Sequence, residues 1–249
     1  MNILGISAFY HESAACVVRD GEVSAAISEE RLSRIKHDAR FPIHSIRECL
    51  KISDLDIMDI DYVAYYEDPH AKYDRQKAAH GDNVIAKNSP HLPGYTIRNA
   101  LGYEGEICFH PHHLSHAASS YFCSGFEDAA ILIADGVGEW ATTSYGEAKG
   151  TQLNLFEEVR FPHSLGLFYS TITNFLGFRV NNGEYKVMGL APYGEPSFRE
   201  KLDSLIDNAT NGQFTLNLDY FGFLSGKKMF HKKLSELLAI PPREPETYA

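Results

Sequence analysis

The sequence predicts an α/β protein with mixed sheets, one half followed by the start of a related second half. Three observations lead there. Short apolar segments of strand character open the chain in quick succession, separated by turn residues. Segments with helical spacing then alternate with further strands. A second pattern of strand, glycine turn and strand begins near residue 129.

Ile3–Ser7 is apolar and reads as the first strand. Ala14–Arg19 and Glu22–Ser28 flank Asp20-Gly21, a dipeptide suited to a two-residue hairpin, so the opening pairs are antiparallel. A helix around Ile43–Lys51 and a short strand at Asp61–Tyr66 follow. From about Glu67 to Pro93 the chain is polar, with His70, His80 and His91 scattered and no strong period; it reads as a helix-plus-loop insertion. A strand at Glu106–Phe109 and a helix from His113 to about Cys123 come next. Ala129–Ala134 is apolar throughout and bounded by turn residues, which suggests a central buried strand. Thr142–Glu147 and Leu153–Val159 form a second hairpin, and Leu165–Leu176, Tyr185–Leu190 and Ser197–Asn208 have helical character. Beyond Asn208 no pattern stands out. A mixed sheet that opens as a hairpin meander and continues with helix and strand fits the actin-like ATPase (ribonuclease H-like) fold. The repeat places a first subdomain at 1–130, including the insertion at about 67–93, and the beginning of a second at 131–249. The Pro-rich stretch after Ile240 suggests a second subdomain truncated from a longer parent chain.

Composition narrows the function classes. With 23 basic and 33 acidic residues the net charge is −10, which argues against a phosphate-backbone partner and hence against nucleic acid. The run Arg31, Arg34, Lys36 and Arg40 suits a single anion. Cys16, Cys49, Cys108 and Cys123 lack metal or redox spacing and read as buried thiols of a reducing compartment. No apolar run approaches the roughly 20 residues of a membrane span, and the start lacks signal-peptide character, so a cytoplasmic protein without membrane attachment is expected.

Five constellations carry chemistry. His110, His112, His113 and His116 put four imidazoles in seven residues of a chain with 12 histidines. His112 and His116, one helical turn apart, can close on one metal ion, although a third ligand is not evident nearby. Helix-entry histidines that are merely exposed or capping remain the alternative. Asp135-Gly136-Val137-Gly138 follows the apolar strand, where glycines let backbone approach a phosphate and an aspartate can hold a cation or orient a reacting group; a tight Asp-Gly hairpin is the plainer reading. The turn Tyr10-His11-Glu12-Ser13-Ala14 places His11 where it can bond an anionic or carbonyl oxygen, or lie on a surface tip. Glu29 and Glu30 beside Arg31, Arg34 and Lys36 form a solvated helix face or a grip for a carbamoyl or phosphoryl group. Asn181 to Gly194 reads as a capped short helix in which Glu184 and Lys186 border a substrate edge, or as a tight loop.

Together these segments resemble the O-carbamoyltransferase family of nodulation-factor and antibiotic-tailoring enzymes. The resemblance rests on Gly5 through His11-Glu12-Ser13-Ala14, on Glu29-Glu30-Arg31-Leu32 with Arg34-Ile35-Lys36-His37 and Phe41-Pro42, on His112-His113-x-x-His116, on Asp135-Gly136-x-Gly138-Glu139, and on Glu184 through Gly194. It runs in order over about four-fifths of the chain. It implies an actin-like metal domain that passes a carbamoyl group to a small-molecule hydroxyl. The donor is a carbamoyl-adenylate, made from carbamoyl phosphate and ATP by a C-terminal domain that lies outside this chain. It implies His112 and His116 as metal ligands, iron first with zinc or manganese as alternatives, and ATP with Mg as co-substrate. A third ligand, an aspartate, is expected beyond residue 249. Asp135 with Gly136 and Gly138 matches the loop beside the adenylate and acceptor, with Glu184 and Lys186 as further candidates there; His11 and Lys36 match polar residues around the carbamoyl group. Two other functions stay open: an actin-like ATP-dependent sugar kinase with Asp135 as base, and a nucleotide-binding regulatory module.

Overall fold

The computed structural model describes residues 1–81, 89–224 and 228–245. Residues 82–88 of the polar insertion and the last residues of the Pro-rich tail, 246–249, lie outside the described residues. The chain divides into two compact units, Met1–His116 and Ala117–Ala249.

The first unit is a five-stranded mixed sheet with helices. Its elements are β1 (Asn2–Ser7), β2 (Ala14–Arg19), β3 (Glu22–Ser28), α1 (Glu30–Ser33), α2 (Ile43–Ile52), β4 (Tyr62–Tyr65), α3 (Pro69–His80), α4 (Leu92–Leu101) and β5 (Glu106–Phe109). Strand order is β3-β2-β1-β4-β5. The first three strands form an antiparallel meander, and β1, β4 and β5 run parallel. This is the mixed sheet expected of an actin-like half. The hairpin turn needs left-handed backbone at both central positions: Asp20 has φ 52° and Gly21 φ 90°, as the residue types favour. Alternate side chains of the strands, among them Leu4, Ile6, Val17, Val63 and Tyr65, meet Ile46 and Cys49 of α2 and Ile97 of α4 in one core.

Helix α5 (His112–Tyr121) begins in the first unit and ends in the second. The second unit continues with β6 (Asp128–Ala134), β7 (Ala141–Lys149), β8 (Gln152–Arg160), α6 (Leu165–Phe175), α7 (Glu184–Leu190), α8 (Arg199–Asp203), β9 (Ile206–Asn208), β10 (Phe214–Leu216) and α9 (Lys232–Leu238). Strands β6, β7 and β8 make an antiparallel sheet in that order. Ala117 and Tyr121 of α5 pack on Ile131 and Ile133 on one side of it. Val159 joins Phe175 of α6, the β9–β10 hairpin and Leu234 of α9 in a separate core.

Three expectations are corrected. Ala129–Ala134 is not a central strand among the described residues: β6 is an edge, with Ile131 and Ile133 buried while Leu132 stays 69% exposed. An all-apolar run hides which of its faces the fold covers. Ser197–Asn208 is not one helix but the short α8 followed by β9, because Leu205 and Ile206 turn into the core beside β10. Helix α4 was not anticipated; Pro93 and Gly94 disguise its first turn, although proline at such a position suits a helix start. Among the described residues no helix is long and apolar enough to cross a membrane.

Candidate metal and transfer site

The two histidines one turn apart do converge. His116 Nε2 lies 3.0 Å from His112 Nε2 on the first turns of α5. Two bonds of about 2.05 Å to nitrogens 3.0 Å apart subtend roughly 94° at a shared ion, an angle normal for two ligands of one metal. Imidazole donors suit iron, zinc and other first-row metals. The first turn of the helix is tethered to the sheet: His110 N–H donates to Tyr65 O at 3.1 Å, and Ser115 Oγ donates to Tyr66 O at 3.0 Å. The Tyr66 ring meets His112 edge-on, centroids 5.4 Å apart. His113 is buried and His110 is exposed. Sequence reasoning missed Glu67, next to Tyr66. Burial pushes its carboxyl above the usual range, with the Lys72 ammonium at 2.7 Å working against that.

His11 and Lys36 are both exposed, on separate loops of the first unit that are strapped together. Phe9 N–H donates to Ala39 O at 2.9 Å, Ser13 Oγ donates to Asp38 O at 2.9 Å, and His37 Nδ1 lies 2.8 Å from Glu12 Oε1. Neighbours of His11 and Lys36 therefore touch, which fixes the two loops side by side. Asp38 is held well below the usual carboxylate range by the Arg40 guanidinium, 2.7 Å away. Phe9 and His37 have left-handed φ of 67° and 56°, a conformation costly for residues other than glycine and often found at functional sites. Glu29 does not pair with Glu30 as a grip. Its buried carboxylate accepts the N–H groups of His44 at 3.2 Å and Ser45 at 2.8 Å, capping α2.

In the second unit Asp135 follows β6 directly. Its backbone N–H donates to Thr142 O at 2.8 Å, Gly138 N–H donates to Ala141 O at 2.9 Å, and its carboxylate accepts the Gly136 N–H at 2.6 Å. Helix α6 starts against this loop. Its N-cap Ser164 donates to Gly136 O at 2.6 Å and accepts from Leu167 N–H at 3.0 Å. A Cβ on Gly166 would come within 2.5 Å of the Asp135 and Gly136 backbone, so only glycine lets the helix start there. A Cβ on Gly136 would meet nothing within 4 Å, leaving open space beside the loop. Glu184 caps its own loop. Its carboxylate accepts from Asn181 N–H at 3.0 Å, Gly183 N–H at 3.1 Å and Ser170 Oγ at 2.9 Å. Burial raises the Glu184 carboxyl, but these donors outweigh it and hold the group below its usual range. Lys186 is exposed, its ammonium 5.9 Å from the Tyr185 ring centroid.

The family described as Carbamoyltransferase N-terminus matches residues 2–244. The chain belongs to that family. The Synechocystis sp. protein sll1178 is 44% identical over 99% of this chain and 43% of its own length. Nodulation protein NolNO of Sinorhizobium fredii is 37% identical over 86% of this chain and 32% of its own length. The carbamoyltransferase-family chain thus spans less than half the length of these relatives. YeaZ from Pseudomonas aeruginosa superposes with a TM-score of 0.37 at 14% identity, over 65% of this chain and 66% of that one, a likeness too loose to carry any weight.

Proposed function

We propose that this chain supplies the metal-bearing half of an O-carbamoyltransferase. The carbamoyl group comes from carbamoyl-adenylate, made from carbamoyl phosphate and ATP with Mg, and goes to a hydroxyl of a small molecule such as a sugar, a nodulation factor or an antibiotic. The observation that carries this is the pair of imidazole nitrogens 3.0 Å apart in a carbamoyltransferase-family chain. His112 and His116 would hold a divalent metal, iron first and zinc or manganese as alternatives, with an aspartate from the remainder of a longer protein as third ligand. Bound there, such an ion would act as a Lewis acid toward the carbamoyl carbonyl.

The chain's own residues do the rest. Asp135 accepts the proton of the attacking hydroxyl as the new oxygen–carbon bond forms. The bond from the carbamoyl carbon to the adenylate phosphate oxygen breaks, and AMP leaves. His11 and Lys36 hold the carbamoyl oxygen and the phosphate. Gly136, Gly138 and Lys186 accommodate the adenylate, while Glu184 keeps that loop in shape.

The test is mass spectrometry of products from the protein at the full length of its relatives, given carbamoyl phosphate, ATP, Mg and candidate alcohols. A carbamoylated alcohol and AMP are expected, and the carbamoylated alcohol should vanish with His112→Ala plus His116→Ala. A phosphorylated alcohol formed without carbamoyl phosphate would overturn the assignment in favour of a kinase.

A further inference from the structure

The first unit contains a small cavity beside the end of β4, between α3 and α4. Phe9, Tyr65 and Leu92 supply apolar walls, and Glu67, Lys72 and Gln76 supply the polar groups. We propose that this cavity binds the primary-amide end of a small carbamoyl- or carboxamide-bearing molecule.

Two features set it apart from ordinary packing. Lys72 Nζ donates to Glu67 Oε1 at 2.7 Å with side chains only 14% and 9% exposed, and the desolvation cost of a buried ion pair can exceed its Coulombic gain. Gln76 Oε1 is buried and has no hydrogen-bond partner among the described residues, a cost that a bound donor would remove.

The donor and acceptor inventory selects the ligand. Gln76 Oε1 needs a donor, Glu67 has acceptor capacity beyond its Lys72 and Tyr66 contacts, and Lys72 has N–H groups to spare. The same ammonium lies 5.1 Å from the Tyr10 ring centroid, which fixes its charge in place. A second cation would meet Lys72 and a carboxylate would meet Glu67. A hydroxyl brings one proton for two acceptors. A primary amide brings two N–H groups, for Gln76 Oε1 and Glu67, and one carbonyl oxygen for Lys72. The space is about 30 Å³, room for about two waters, which the oxygen and nitrogen of one amide replace. Water alone is the competing occupant. The inventory stands by itself; carbamoyl transfer enters only in the choice of probe.

The test is an amide-resolved NMR titration of the full chain with methyl carbamate, and with methyl N,N-dimethylcarbamate as the analogue lacking both N–H groups. Saturable shifts confined to α3, α4 and the end of β4 are expected with the first and not the second. Gln76→Leu should weaken binding about tenfold or more without lowering the melting temperature, since it removes an unsatisfied acceptor. His112→Ala plus His116→Ala should bind methyl carbamate as the unaltered chain does, which separates this subsite from the metal centre. No saturable shifts, equal binding of the dimethyl analogue, or unweakened binding by Gln76→Leu would each overturn it. Should Gln76→Leu fail to fold, the comparison of the two carbamates decides alone.

Discussion

Replacing Gly166 with alanine separates loop geometry from helix propensity. In an unobstructed helix the change stabilises by about 1 kcal/mol. At Gly166 the added Cβ would fall within 2.5 Å of backbone atoms of Asp135 and Gly136, far inside the roughly 3.5–4.0 Å of a relaxed contact. Backbone has no rotamer to escape into, so the cost lies near the upper end of overpacking, about 3 kcal/mol. The net expectation is a loss of about 2 kcal/mol, with the Asp135 loop pushed off the start of α6. Gly189, inside α7, provides the control: a Cβ there meets nothing within 4 Å, and alanine should stabilise by up to about 1 kcal/mol. Urea unfolding of both variants beside the unaltered chain measures the contrast. A Gly166→Ala protein as stable as Gly189→Ala would refute the close approach of α6 to the carboxylate loop.

Glu184→Gln should destabilise the chain at neutral pH, because it removes the carboxylate that three donors hold in its ionised form. The folded-state pKa of Glu184 is depressed, so its contribution is full above the ordinary value of 4.5 and fades as pH falls through the folded value. Thermal melts of the two proteins should therefore differ at pH 7 and converge in acid; a gap that widens in acid would contradict the hydrogen-bond assignment. Glu29→Ala strips the cap from α2 and leaves the His44 and Ser45 N–H groups without their acceptor. A loss of about 1–2 kcal/mol in urea unfolding is expected, and an unchanged midpoint would show that the cap contributes nothing.

Much of the fold was legible because it is local. Ala14–Arg19 and Glu22–Ser28 declare themselves by apolar strand character around Asp20-Gly21, a turn whose residues tolerate positive φ. The separation of His112 and His116 gave the imidazole pair, since helical geometry alone stacks residues four apart. What sequence could not supply is set by distant partners. Whether β6 sits inside a sheet or at its edge depends on strand order, and Ala-Ala-Ile-Leu-Ile-Ala reads the same either way. Glu29 and Glu184 looked like substrate-facing acids, but each is spent on nearby backbone N–H groups that only the folded turn presents. The contact of Glu12 with His37 spans 25 positions and leaves no periodic trace. Glu67 and Lys72 fall in a polar stretch with no strong period, where nothing marks them for burial together.

The most direct measurement is metal content combined with X-ray absorption on the iron- or zinc-loaded protein. One ion per chain is predicted, with two imidazole nitrogens at about 2.0–2.1 Å, and His112→Ala plus His116→Ala should abolish it. Unchanged metal content in that double variant, or a metal shell without imidazole, would contradict the assignment of the α5 histidines as ligands.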